Sequence, residues 1–161
     1  MPTHGSEARP IELANFVVSE IRAASLETKL DESQVERVYL PTAAQSETGK
    51  LKALVAVSSV RMAWDNRSEW AYQIDIDVGV VFRTPLNVGR EATKDYDAGM
   101  KLAEQIADLY RFRRAGVQKD FRIAGVQFGA GGDQPYIPEH IAEFNQFTSV
   151  VRLTFIQLRG E

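Results

Sequence analysis

The stretch WAYQIDIDVGVVF, residues 70–82, alternates large apolar side chains with smaller or polar ones at every second position. Because successive side chains of a β-strand point to opposite faces, a period of two predicts a long strand with one buried face. Its thirteen residues exceed the usual strand length of about 5–6 residues. We therefore expect this strand to extend beyond its sheet and to end at Thr84 and Pro85.

The segment before it supplies the partner strand. Residues 51–62, LKALVAVSSVRM, are rich in β-branched side chains, which favour strands. Residues 65–68, DNRS, have the composition of a turn. Two strands separated by such a turn predict a long hairpin over about residues 51–82.

Two segments with helical spacing flank the hairpin. The first spans about residues 10–26. Pro10 suits the start of a helix because the N–H that proline lacks would have no partner in the first turn. The second spans about residues 92–114, with acidic side chains near its start and arginines near its end, as the helix dipole favours. Shorter strands are predicted at residues 35–40, 121–128 and 147–156, and a short helix at residues 138–144.

These elements predict one α+β domain over residues 10–161, after a flexible N-terminal arm over residues 1–9. The expected fold is a mixed, mostly antiparallel β-sheet of about five strands, with two main helices packed on it and a long β-hairpin. A chain of 161 residues is long enough to bury a core without disulfides or metals.

Composition excludes several classes of protein. The chain contains no Cys, which excludes a disulfide scaffold, a zinc ribbon and cysteine-based catalysis. Its net charge is −3 and neither half is strongly basic, unlike a nucleic-acid binder. No apolar run approaches the roughly 18 residues of a membrane span, and the polar start with Glu7 is unlike a secretory signal. We expect a soluble intracellular domain.

One pair of acidic residues merits a test for metal chemistry. Asp75 and Asp77 lie on one face of the long predicted strand, where they can share a divalent cation as in a metal-dependent nuclease. Such a site also requires a third carboxylate and a nearby Lys or His, and no matching motif is present. The alternative is that both acids line a face toward solvent, a lumen or another subunit.

The remaining polar features do not form a catalytic constellation. His140 has no placed Ser or Cys partner, and residues 129–133 lack the Lys of a phosphate-binding loop. A basic cluster is consistent either with contact to a phosphate backbone or acidic partner or with a solvated helix end; its members are Arg111, Arg113, Arg114, Lys119 and Arg122. We therefore predict no catalytic, metal or cofactor site and no enzymatic activity.

Two stretches resemble a known family. One is YQIDIDVGVVF (residues 72–82) followed by MKLAEQIADLYR (residues 100–111), and the other is PYIPEHIAEFNQFTSVVRLTFIQLR (residues 135–159). In this order they resemble the tail-terminator and tail-completion proteins in the neck of tailed bacteriophages. The resemblance covers about residues 50–159.

The resemblance implies a structural virion protein, made in the host cytoplasm, that acts without a cofactor or a membrane. Such a protein forms a hexameric ring on the head-proximal end of the tail tube, stops tube polymerisation and joins the tail to the head-completion or connector proteins. Two alternatives stay open. One is a head-completion (stopper) protein of the neck, and the other is a metal-dependent nuclease that uses Asp75 and Asp77.

A ring built from head-to-tail contacts needs two different patches on each subunit. The hairpin and the arginine-rich helix end are the candidates for subunit or partner interfaces, through Trp64, Arg67, Trp70, Arg111, Arg113, Arg114 and Arg122. Tail DNA would pass through the lumen without specific binding. Asp75 and Asp77 are the candidate lumen acids, since negative charge would keep the wall from holding phosphate.

Overall fold

The computed structural model describes residues 8–24, 26–28, 30–40, 49–62, 70–84, 92–111, 121–129 and 134–158. The elements, in chain order, are α1 (Arg9–Ala23), a 3₁₀ turn (Glu32–Gln34), β1 (Val35–Arg37), β2 (Leu51–Met62), β3 (Trp70–Arg83), α2 (Ala92–Arg111), β4 (Phe121–Phe128), α3 (Pro138–Phe144) and β5 (Gln146–Leu158). No helix in this part of the chain combines the length and apolar character needed to cross a membrane.

The five strands form one mixed sheet in the order β1-β2-β3-β5-β4. The pair β1-β2 is parallel, and the other three pairs are antiparallel. The hairpin of β2 and β3 is paired from Leu51 and Phe82 to Met62 and Tyr72. The predicted α+β class, the mostly antiparallel sheet and the long hairpin are therefore confirmed; the predicted turn at residues 65–68 lies outside the described residues.

One face of the sheet, here the helix-side face, forms the hydrophobic core with α1 and α2. The large apolar side chains of β3 point to this face and are buried: Ile74, Ile76, Val78, Val80 and Phe82.

Aromatic side chains join α2 to β5 within this core. Tyr110 of α2 meets Phe155 of β5 edge to face, with ring centroids 6.3 Å apart. About two turns into the same helix, a Cβ atom on Gly99 would lie 2.6 Å from Cε2 of Phe147. The absence of a side chain at Gly99 thus lets the helix approach the sheet closely.

The opposite face of the sheet, here the outer face, differs from the sequence expectation. We predicted that β3 has one buried face, yet Asp77, Gly79 and Val81 of its other face are buried as well. Apolar side chains of the neighbouring strands lie at this end of the outer face. Leu54 and Val150 flank Gly79 in register, and both are buried.

Most predicted boundaries hold, and the exceptions have local causes. The helix α1 ends at Ala23, not at about residue 26, because Ala24 adopts extended backbone angles. The strand β1 ends at Arg37 instead of residue 40. The helix α3 has its predicted bounds, with Pro138 at its start and Asn145 in the left-handed conformation at its end. Residues 1–7 and 112–114 lie outside the described part.

Candidate functional site

A bidentate ion pair lies on the outer face of the sheet. Arg152 of β5 donates from Nε to Oδ1 of Asp77, at 2.8 Å, and from Nη2 to Oδ2, at 3.0 Å. The two residues are direct partners in the antiparallel register of β3 and β5. Asp77 is 4% exposed, so the arginine replaces the water that a free carboxylate would bind. Hydrogen bonding to Asp77, together with the charges of Asp77 and Asp75, raises the pKa of Arg152.

The second acidic residue is held by hydroxyl groups from both neighbouring strands. Ser59 of β2 donates to Oδ2 of Asp75 and Thr154 of β5 donates to Oδ1, each at 2.8 Å. Every carboxylate oxygen of the two acids on β3 therefore already accepts a hydrogen bond from a protein side chain. Within the described residues, no group of three or more His, Asp or Glu is placed to hold a metal ion.

A β-bulge explains how Ser59 reaches Asp75. The register of β2 against β3 shifts between Val57 and Ser59, so Ser58 is the extra residue. After the bulge, Ser59 shares the outer face with Asp75, whereas Val60 is the partner of Ile74 on the helix-side face. Val57, Val60 and Met62 thus all lie on the helix side, although the spacing changes by one residue at the bulge.

The far end of β2 leaves one border of the sheet open. Its register with β1 extends only from Ala53 to Val55, followed by a bond from the N–H of Val38 to the carbonyl of Val55. Residues 57–62, here called the hairpin edge, have no strand on that side in the part of the chain that the structure describes.

Apolar side chains are exposed along this border. Val60 is 45% exposed and Met62 is 56% exposed on the hairpin edge. Tyr39 and Leu40, which follow β1 after Val38, are exposed as well. An unpaired strand with exposed apolar side chains is a template for pairing with another strand.

The opposite border of the sheet is β4. Among the described strands its only neighbour is β5, which leaves its outer side, here called the β4 edge, open. Arg122, Ala124 and Gln127 are exposed on this strand. A second bulge lies in β4, between Ile123 and Gly125.

The predicted interface residues fall partly within the described chain. Arg111 is exposed at the end of α2 and forms an ion pair with Asp108, and Arg122 is exposed on the outer face of β4. Trp70 begins β3, and its side chain lies outside the described residues, as do Trp64, Arg67, Arg113, Arg114 and Lys119. The described residues therefore do not show whether the predicted interface side chains come together.

The structure also describes His140 and the first residue of the predicted glycine loop. Nδ1 of His140 lies 2.9 Å from the Thr148 hydroxyl, a bond that ties α3 to the start of β5. Gly129 begins the predicted glycine loop with a φ of 80°, which favours glycine, and residues 130–133 lie outside the described part.

A cleft of about 600 Å³ opens where α1 ends, lined by Ile21, Arg22, Ala24, Leu26, Glu27, Thr28, Leu30 and Asp31. Its charged side chains are engaged within the chain. Arg22 donates two hydrogen bonds to the carbonyl of Val35, and Glu27 forms an ion pair with Lys101 at 2.8 Å. The cleft therefore offers no free charged group from either residue to a ligand.

Sequence reasoning missed Arg152, Ser59, Val60 and Met62. The partner of Asp77 cannot be identified before the register of β3 and β5 is known, because the two residues are 75 positions apart. The bulge had a weak signal, since Val55 and Val57 stand at odd positions whereas Val60 and Met62 stand at even ones.

The chain has no match among protein-family models and no significant match among curated proteins. One solved structure, whose name states no activity, is 15% identical in sequence and aligns with a TM-score of 0.43. The alignment covers 98% of this chain and 100% of that one. At this level of similarity the neighbour supports no inference about function.

Proposed function

We propose that this chain is the tail terminator of a tailed bacteriophage. It would form a ring on the head-proximal end of the tail tube, stop the polymerisation of the tube and join the tail to the head-completion proteins. The proposal begins from the resemblance of residues 72–82, 100–111 and 135–159 to proteins of the phage neck.

The structural observation that supports it best is the pair of open borders on a single sheet. A ring of identical subunits needs two different, mutually complementary patches on each copy. The hairpin edge and the β4 edge lie on opposite borders of the sheet, and no described strand covers either one. Assembly of copies would cover both.

The proposed lumen acids need a refinement. The charge of Asp77 is balanced by Arg152, so its contribution to repelling DNA would be small. Asp75 instead accepts hydrogen bonds from two neutral hydroxyls, those of Ser59 and Thr154. If the outer face lines the lumen, Asp75 would be the acid that keeps DNA from binding there.

Imaging of the virion tests the proposal directly. We expect cryo-electron microscopy of the particle that contains this chain to place six copies in a ring between the tail tube and the head proteins. Absence from the neck, or a protein that stays monomeric at high concentration and in the presence of tail tubes, would reject it. Magnesium-dependent cleavage of DNA that is lost in Asp75→Ala would instead favour the nuclease.

A further inference from the structure

We propose that the hairpin edge of one copy pairs in antiparallel register with the β4 edge of the next copy. The sheet would then continue from subunit to subunit around the ring. This inference rests on the ring assembly proposed above and specifies which two surfaces form the contact.

The two edges lie at the same level along the strands. One row of register partners runs from Val60 through Ile74 and Phe155 to Ile123. The next row runs from Arg61 to Arg122. A neighbouring copy rotated about an axis parallel to the strands therefore presents its β4 edge beside the hairpin edge, with little sliding between copies.

Strand direction favours this pairing. The pairs β2-β3, β3-β5 and β5-β4 are all antiparallel, so β2 and β4 run in opposite directions. A rotation about an axis along the strands preserves these directions, and the junction between copies would be antiparallel like those within each copy. Pairing of two hairpin edges would need a two-fold axis instead, and it would close as a dimer with both β4 edges still open.

The side chains of the two edges match by face. Val60 and Met62 are exposed on the helix-side face of the hairpin edge. Ile123, Val126 and Phe128 are half-buried on the helix-side face of β4. Joining the sheets would place these two apolar groups side by side and remove both from water.

Neither edge is strongly protected against pairing. Residues 57–62 contain one charged side chain, Arg61, and β4 contains one, Arg122; neither strand contains Pro. Edges that must stay free usually have several charges or a proline, whereas each of these has one arginine and one bulge. The register that pairs Val60 with Ile123 would also put Arg61 opposite Arg122. Because like charges directly opposite each other destabilise a strand pair, we expect the register between copies to be shifted from it by a few residues, as in pairing of Val60 with Val126 or Phe128.

The absence of native Cys allows a direct test by disulfide trapping. The double variants combine Val60→Cys with Ile123→Cys, Val126→Cys or Phe128→Cys, and thereby sample three registers on one face. Cα atoms of opposed residues in an antiparallel pair lie about 4.5–5.5 Å apart, within the range of a disulfide. We expect at least one double variant, oxidised mildly after assembly, to give a ladder of covalent multimers of three or more chains on a non-reducing gel.

Two matched controls accompany these variants. Val60→Cys alone should give no covalent product, and Val60→Cys combined with Cys at the exposed position Glu104 of α2 should give no ladder. Efficient dimers of Val60→Cys alone would indicate two-fold pairing of hairpin edges and would overturn the inference.

Sedimentation of the wild-type protein separates this inference from the function that it rests on. If rings form, alone or on tail tubes, but no double variant cross-links beyond the controls, the edge pairing is wrong and the terminator proposal stands. If no ring forms under either condition, both are wrong.

Discussion

The carboxylate of Asp77 and the guanidinium of Arg152 form two hydrogen bonds, of 2.8 and 3.0 Å, between neighbouring strands of the sheet. The pair joins β3 to β5 on the same face as Asp75, two rows away from the one in which Asp75 binds Ser59 and Thr154. Three polar side chains around two acids thus hold the two hairpin strands and the C-terminal strand together. Each should stabilise the fold, independently of any ring.

Removal of one partner from the ion pair should be strongly destabilising. Asp77→Ala leaves the half-buried guanidinium of Arg152 without its carboxylate, and we expect a loss of about 3 kcal/mol in the free energy of unfolding. Arg152→Ala should cost a similar amount, and the double variant should cost clearly less than the sum. Urea unfolding of the four proteins gives this coupling energy; additive losses would show that the two side chains do not interact.

The contact between Gly99 and Phe147 predicts an unusual helix substitution. Alanine in place of glycine inside a helix usually stabilises by about 1 kcal/mol. Here the new Cβ would lie 2.6 Å from the buried ring of Phe147, so Gly99→Ala should destabilise by about 1–3 kcal/mol. Phe147→Leu in the same chain should relieve part of the loss, and Glu104→Ala, at an exposed position of α2, should be nearly neutral. A stabilised Gly99→Ala would contradict the close approach of α2.

Tyr110 predicts a limit to stability at alkaline pH. Its hydroxyl is buried and has no hydrogen-bond partner among the residues that the structure describes, and burial raises its pKa above the ordinary value. The folded state therefore holds the phenolic proton more tightly than the unfolded state, whose pKa is about 10. The resulting stability is complete below that pH and is lost as the pH rises beyond it.

Tyr110→Phe should accordingly move the midpoint of alkaline unfolding, followed by circular dichroism, to higher pH. At pH 7 its stability should be unchanged or up to about 1 kcal/mol higher, because no hydrogen bond to a described residue is lost. Tyr39→Phe, at an exposed position, is the matched control and should leave the midpoint in place. A large loss of stability in Tyr110→Phe at pH 7 would reveal a partner for the hydroxyl.

Charge on the hairpin edge should block assembly without unfolding the subunit. Val60→Lys and Met62→Lys place lysines on exposed positions of an open strand, a change that usually alters stability by about 0.5 kcal/mol or less. We expect both variants to keep the wild-type circular dichroism spectrum and to sediment as monomers under conditions in which the wild type forms rings. Ser19→Lys, on the exposed side of α1, should still assemble. Rings of normal stability from both edge variants would exclude this border as the contact.

Local patterns in the sequence were sufficient for the elements of the fold. The strict alternation of residues 70–82 and the turn composition after residues 51–62 predicted the hairpin, and helical spacing predicted α1 and α2. Each of these signals involves side chains within a few turns or pleats of one another.

Non-local geometry explains what the sequence did not reveal. The insertion of β5 between β3 and β4, and with it the pairing of Asp77 and Arg152, depends on a register between segments far apart in the chain. The alternating pattern of β3 predicted which side chains share a face, but it did not predict which of them are exposed. Asp77, for example, is buried beside Arg152. The open edges became recognisable only when the short length of β1 was known.

The length of tails assembled without this protein tests the proposed function most directly. Electron micrographs would be measured for a phage whose copy of the gene is deleted, with a plasmid-borne wild-type copy as the control. If the protein ends tube growth, its loss should give tubes of widely varying and excessive length that do not join heads, and the plasmid copy should restore one length. Tails of normal length would contradict a terminator, and normal tails beside heads that have lost their DNA would indicate a stopper instead.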